Sequence, residues 1–171
     1  MKIKITALDR LFSLYVRHRA NWRCQYCGTD YAKLNKSGLH CSHLYGRRHK
    51  STRWHPDNAF AHCFGCHQFL GGNPVIFSKW ARMKLGVARF NRLASLHRKT
   101  SRVNEESRRI VKFELLFKLR GLFAGDSIFE SFLTDHGFTK KMAKEYLSMT
   151  LGANRITRET LGILNGTEKN I

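Results

Sequence analysis

Acidic residues are scarce in this sequence: 12 Asp+Glu stand against 31 Lys+Arg, a formal net charge of +19. An excess of that size repels itself unless a polyanion is the partner, and nucleic acid is the commonest polyanion. Ribosomal and membrane-surface proteins share such a balance, so charge narrows the class without choosing within it. Long apolar runs are missing too. None approaches the roughly 20 residues that a membrane-spanning helix needs, so no membrane role is expected. The opening MKIKITALDRLFSLYVRHR lacks the uninterrupted apolar stretch and small-residue cleavage site of a signal peptide, and the expected location is cytoplasmic. Internal repeats and low-complexity segments are absent as well. What is left is a chain of 171 residues with an ordinary apolar share of 42%, room for one domain or a small domain with an appendage.

The basic residues are unevenly spread. Residues 1–78 hold 12 basic and 3 acidic side chains, residues 79–120 hold 13 and 3, and residues 121–171 hold 6 and 6. The change to neutrality falls near RGLFAGDS, where two glycines bracket a joint. Three regions are therefore expected: a core over 1–78, a basic helical arm over 79–120 and a small neutral helical tail over 121–171.

Five cysteines in a chain expected to be cytoplasmic argue against a disulfide framework. Four of them pair as Cys24-x-x-Cys27 and Cys63-x-x-Cys66, which supplies the four thiolates of a tetrahedral structural Zn2+. Chance CxxC turns or redox thiols are the alternatives, and no βαβ pattern surrounds either pair to favour redox chemistry. Cys41 is left over and reads as a small core residue.

Around the knuckles the pattern alternates between helix, strand and loop. Thr6-x-x-Asp9 resembles a capping box, and Leu8, Leu11, Phe12, Tyr15 and Val16 follow at helical spacing to about Arg19. GLHCSHLYG has no helical period and reads as a strand ending near Gly46. GRRHKSTRWHPDN reads as a basic loop, with Pro56 ruling out a central strand. After GGNP a helix is expected from Pro74, with Ile76, Trp80, Met83 and Val87 on one apolar face. A further helix from about Asn104 to Arg120 groups Ile110, Phe113 and Phe117. In the tail, Asp126 or Ser127, Thr139 and Thr157 read as N-caps of three short helices. Gly137 in its break allows a helix-turn-helix, but neutrality favours a helical core or partner-docking face of Phe129, Phe132, Leu133, Met142, Tyr146 and Leu147. A protein partner for the tail is compatible with that face.

The spacing between knuckles carries the functional signal. A plain zinc ribbon closes with about 15–20 residues, whereas 35 residues separate Cys27 from Cys63. Zinc then clamps the ends of an insert and fixes His43, Asn58 and His67 relative to one another, as a catalytic constellation needs. Simpler readings stand beside this one: His43 as a surface histidine, His67 as helix decoration, Asn58 after Asp57 as turn chemistry.

The order His43, Asn58, His67, with NAFAHCFGCHQ joining the last two, resembles the HNH (ββα-metal) nuclease motif. LDRLFSLYVRHR, CQYCG, LHCSHLYGRR, HPDNAFAHCFGCHQ and GNP together look like the lambdoid-phage NinG/Rap recombination nucleases over roughly residues 7–120. The resemblance implies an α+β fold: a zinc-clamped ββα-metal core with a flanking N-terminal helix, a basic helical arm and a small helical tail. It implies a metal-dependent endodeoxyribonuclease, phage or prophage encoded, that hydrolyses phosphodiester bonds to 5′-phosphate and 3′-hydroxyl ends. His43 matches the general base, suited by a pKa near neutrality. His67 matches a ligand of a catalytic Mg2+ or Mn2+, and Asn58 the residue that orients the base or its loop. The family often has Asp or His just before the base; here Ser42 stands there, with His40 or His55 as substitutes.

DNA is the implied partner. Arg47, Arg48, Lys50 and Arg53 follow the base and would hold phosphates beside the scissile one, giving affinity without base specificity. A solvated basic loop is the simpler reading of those four. The family suggests structure-selective action on branched or junction DNA, and a homodimer is compatible with junction resolution. The rivals are a sequence-specific homing endonuclease and a non-catalytic zinc-ribbon nucleic-acid-binding module.

Overall fold

The first helix starts where its cap requires. Thr6 Oγ1 accepts from the Asp9 amide at 3.3 Å, and the Asp9 carboxylate accepts from the Thr6 amide at 2.8 Å, so two orphan donors are satisfied reciprocally. Helix α1 runs Ala7–Arg19 and buries Leu11, Phe12, Leu14 and Val16, with Arg17, His18 and Arg19 in its last turn where the helix dipole favours positive charge. The computed structural model describes residues 3–34, 38–99, 103–123 and 125–152, without the side chains of 149–152. The Thr157 cap and the third tail helix fall outside the described residues.

Among the described residues the fold is mixed, mostly helical with one two-stranded sheet. Strand β1 (Leu39–His43) pairs antiparallel with β2 (Ala59–Cys63), in the register Leu39 to Cys63, Cys41 to Ala61 and His43 to Ala59. β1 therefore ends at His43, short of the Gly46 expected. The connecting segment 44–58 closes with one 3-10 turn at Pro56–Asn58. Helix α2 (Phe64–Gly72) leaves β2 directly, and α3 (Pro74–Leu85) follows with proline in its first turn as expected.

Helix α1 packs against both strands on one side, while α2 packs on the sheet and carries α3 with it. Phe60, Leu70, Phe77 and Ala81 form the core there, with Leu44, Trp80, Leu85 and Phe90 packed around it. His62 is wholly buried in this layer, ringed by Tyr26, Phe60, Phe77 and Trp80 at 5.0–6.4 Å. Burial, aided by His67, pushes its pKa down to about 4, so it is a neutral core residue.

The expected apolar face of α3 is corrected by a glycine. Gly86, at φ +79°, ends α3, and Val87 opens a new helix, α4 (Val87–Arg98). Ile76, Met83 and Val87 are 42%, 78% and 53% exposed, and the buried stripe is Phe77 with Ala81. Helix α5 (Glu105–Arg120) differs likewise: Leu115, Leu116 and Leu119 are buried, while Ile110 and Phe117 are exposed. Its apolar residues occupy more than one face, so packing partners decided which stripe went inside.

The chain divides into two compact units, 1–112 and 113–171. In the second, α6 (Asp126–Asp135) and α7 (Lys140–Gly152) pack together across a turn in which Gly137 takes φ +82°. Phe129, Leu133, Phe138, Ala143 and Tyr146 are buried there, a small helical core. Thr139 Oγ1 accepts from the Met142 amide at 3.2 Å, the cap expected for α7, whereas α6 begins after Gly125 with no side-chain cap. Among the described residues no helix is long and apolar enough to cross a membrane.

Candidate metal centre and active site

After α1 the chain reverses through Asn21 and Trp22, both at positive φ. The first knuckle then closes on itself: the Cys24 amide donates to the Thr29 carbonyl at 2.9 Å and the Gly28 amide to the Cys24 carbonyl at 2.8 Å. Gly28 sits at φ +80°, where a side chain is strained. Gln25 then latches the knuckle onto β2, its amide on the Ala61 carbonyl at 2.8 Å and its side-chain oxygen on the Ala61 amide at 2.9 Å. Cys63 ends β2 and caps α2, which puts Cys66 in the first helical turn.

The four sulfurs of Cys24, Cys27, Cys63 and Cys66 all lie within 4.8 Å of one another, with Cys27 and Cys63 at 3.9 Å. A tetrahedron of Zn–S bonds of about 2.3 Å has edges of about 3.8 Å, so the cluster fits zinc. The chemistry of the donors fits as well. The Thr29 hydroxyl at the Cys27 sulfur holds that thiol down to about 6. Burial, and for Cys66 the neighbouring thiols, push Cys24 and Cys66 up. Four crowded thiols ionise together only around a cation.

His43 closes β1 and meets Phe12 of α1, ring centroids 5.7 Å apart. Its Nε2 donates to the Arg53 carbonyl at 3.0 Å, which leaves the lone pair of the neutral ring on Nδ1. Burial, then the Arg47 guanidinium, take its pKa down to about 4, against the weaker opposing pull of the Arg53 and Cys41 carbonyls. The near-neutral pKa expected of a base is thus corrected: in the free protein this imidazole is neutral and weakly basic.

Asn58 is fully buried and holds the segment that supplies that carbonyl. Its Oδ1 accepts from the Tyr45 amide at 2.8 Å, and its Nδ2 donates to the Tyr45 and Thr52 carbonyls, each at 2.9 Å. Asn58→Ala leaves three backbone groups without partners, at about 1 kcal/mol or more apiece. A loss on the order of 3 kcal/mol is expected in urea unfolding of the zinc-loaded chain. An alanine variant within about 0.5 kcal/mol of wild type would show that the clamp contributes nothing.

Alternation along β1 turns His40 and Ser42 to the other side of the strand from His43, toward α2. The Ser42 hydroxyl and His67 Nδ1 are 3.0 Å apart, and the His40 ring stacks on His67 with centroids at 5.5 Å. Burial, His40 and Arg47 lower the His67 pKa, which keeps its ring neutral. With Nδ1 engaged by Ser42, Nε2 of His67 is the nitrogen left for a ligand. His55, the other candidate, uses Nδ1 to accept from the Asp57 amide at 3.2 Å and caps the 3-10 turn.

Of the four cations, Arg48 and Lys50 are exposed and Arg47 is half-buried, its Nε without a hydrogen-bond partner. Arg53 differs from its expected place among the phosphate contacts. Nε and Nη2 bind the two oxygens of Asp9 at 2.8 and 2.7 Å, and Nη2 also donates to the Lys4 carbonyl at 2.9 Å. A guanidinium so committed has few donors left for DNA.

Several residues that shape the site carried no signal of that role in the sequence. Asp9 was legible only as a cap. Arg19 donates to the Pro56 and Ala59 carbonyls at 3.0 and 2.7 Å, so α1 holds both sides of Asn58. From α4, His97 stacks on Tyr45 at 3.8 Å and Arg89 pairs with Asp57, which seats the start of the basic arm against the loop. No family model, curated protein or solved structure matches this chain. Function therefore rests on the site's own chemistry.

Proposed function

We propose that the chain is a metal-dependent HNH-type DNA endonuclease, similar to the NinG/Rap recombination nucleases. The observation that carries this reading is His43: a neutral imidazole whose Nε2–H is committed to a backbone carbonyl, leaving Nδ1 to take a proton. A binding module would use the Nε2 bond for stability alone and would have no use for the lone pair on Nδ1. The order β1, β2, α2, with cysteines clamping the ends of the hairpin and His67 in the helix, supports the ββα-metal core.

In this mechanism His43 Nδ1 accepts a proton from water as the oxygen attacks phosphorus. The bond to the 3′-oxygen breaks and that oxygen takes a proton from solvent water, leaving 5′-phosphate and 3′-hydroxyl ends. The negative phosphate beside the base raises its pKa on binding, which strengthens a base that burial keeps weak in the free protein. Asn58 holds the carbonyl-bearing loop in place. Arg47, whose charge lowers the pKa of both His43 and His67, would neutralise the scissile phosphate, and exposed Arg48 and Lys50 would bind its neighbours. His67 through Nε2, with His40, would hold a divalent Mg2+ or Mn2+, and that ion would supply positive charge against the negative charge that develops during hydrolysis.

Zinc-loaded protein is expected to nick or cleave DNA in Mg2+ or Mn2+, with four-way junctions and flaps ranked above linear duplex and single strands. A sharp cleavage consensus on linear duplex, indifferent to branching, would select the homing reading. Tight binding with no cleavage of any substrate in either metal would leave a zinc-stabilised binding module.

A further inference from the structure

We propose that Asp9 is a positioning residue for His43, acting through Arg53 to fix the tautomer in which the imidazole serves as base. The proposal rests on the nuclease reading for its kinetic consequence, but the tautomer is a property of the folded chain alone. The carbonyl that receives His43 Nε2 belongs to Arg53, in the segment between β1 and the 3-10 turn. A loop carbonyl orients a ring only if the loop itself is held. Three consecutive residues there are tied down. Thr52 is held through its carbonyl by Asn58. Arg53 is held by two bonds to Asp9 at 2.8 and 2.7 Å, and Trp54 by its Nε1 on Asp9 Oδ1 at 3.0 Å.

Asp9 is suited to the task by its surroundings. Its side chain is only 3% exposed, and that of Arg53 14%. Burial alone would raise the Asp9 pKa, but hydrogen bonds from Arg53 and Thr6, with the Arg53 charge, outweigh it and hold it down to about 2. The carboxylate is thus ionised throughout the working range and accepts five bonds, from the Thr6 amide and hydroxyl, Arg53 Nε and Nη2, and Trp54. The same group caps α1, whose Phe12 faces the His43 ring. One buried carboxylate therefore sets both the helix against which the base packs and the carbonyl that orients it. A cap alone would not require Arg53 or Trp54.

The test compares zinc-loaded wild type with Asp9→Asn, Arg53→Lys and Thr6→Ala. Imidazole 15N spectra report the His43 tautomer, and single-turnover nicking of a junction substrate separates kcat from KM. Wild type should show His43 as the Nε2–H form only. Asp9→Asn, which loses the charge and one acceptor, should mix in the Nδ1–H form and lower kcat at least tenfold with KM within twofold. Arg53→Lys, which cannot make the paired contact, should shift both readouts the same way by less. Thr6→Ala removes the capping hydroxyl and with it one of the five bonds to Asp9, but leaves those from Arg53 and Trp54, so its shift in tautomer and kcat should be smaller than that of Arg53→Lys. If Asp9→Asn fails to retain zinc, Arg53→Lys decides. An unchanged Nε2–H tautomer in every folded variant would overturn the proposal, as would an equal shift in Thr6→Ala. If wild type cleaves nothing, the nuclease reading fails while the tautomer comparison still decides the positioning role.

Discussion

Stripping zinc from the four-cysteine cluster is expected to unfold the 1–112 unit. Structural zinc contributes apparent free energies of about 10 kcal/mol or more at neutral pH, comparable with the whole stability of a small domain, about 5–15 kcal/mol. The architecture concentrates that dependence. The sheet has only two strands, below what sustains itself in water without packing support. Cys63 is at once the end of β2 and the cap of α2, and Cys24 and Cys27 belong to a knuckle also tied to the sheet by the Gln25 bonds to Ala61, the Cys63 amide on the Cys24 sulfur and the contact of Tyr26 with His62. Without the metal, the thiols that burial pushes up are protonated, and the knuckles lose the charge that joins them. Cys63→Ser or prolonged chelation should abolish the near-ultraviolet dichroism of Trp22, Trp54 and Trp80 and bring the urea midpoint of this unit close to zero. A chelated, metal-free chain with the wild-type midpoint would show the cluster to be incidental.

His43→Ala should lower cleavage by about 10²- to 10⁴-fold while zinc content and DNA affinity stay near wild type. The ring is also packed on Phe12 and satisfies the Arg53 carbonyl, so a stability loss of about 1–3 kcal/mol should accompany the change. Normalising to folded, zinc-loaded protein separates the two. The acid side of the pH profile offers a second check. Because burial and Arg47 lower the His43 pKa to about 4, the active neutral form persists far below the 6.5 of an ordinary histidine. Deprotonated base is lost only as pH falls through the lowered value, so kcat/KM, which reports the free enzyme, should show no histidine limb between pH 8 and 5.5. A limb centred near 6.5 would mean that His43 is exposed in solution or is not the base. Cleavage by zinc-loaded His43→Ala at the wild-type rate would remove His43 from the mechanism.

Features within one element or one tight turn were legible along the chain. The Thr6–Asp9 box starts α1, Pro74 starts α3, Thr139 caps α7, and the CxxC pairs meet in one cluster. Each depends on residues three or four apart, or on a residue type with one dominant chemistry. Helical faces were less legible. Ile76, Trp80, Met83 and Val87 share a period, but Gly86 interrupts the helix, and the stripe that went inside is the one facing Phe60 and Leu70. The tail residues Phe129, Leu133 and Tyr146 were readable as core because few other apolar stripes competed.

The sequence by itself determined the charge, the four thiolates and the order of His43, Asn58 and His67, since those are matters of residue type and spacing. Tertiary structure alone decided what each charged or polar group does. Arg53 reads as a phosphate ligand until Asp9, 44 positions away, is brought to it. Asn58 reads as a turn residue until burial obliges its amide to satisfy Tyr45 and Thr52. Ser42 and His40 join His67 only because β1 and α2 pack face to face, and His97 reaches Tyr45 only through the turn at Gly86. These pairings are set by desolvation: a buried polar group must find its partner among whatever the fold places beside it, and no local pattern records which residue that is.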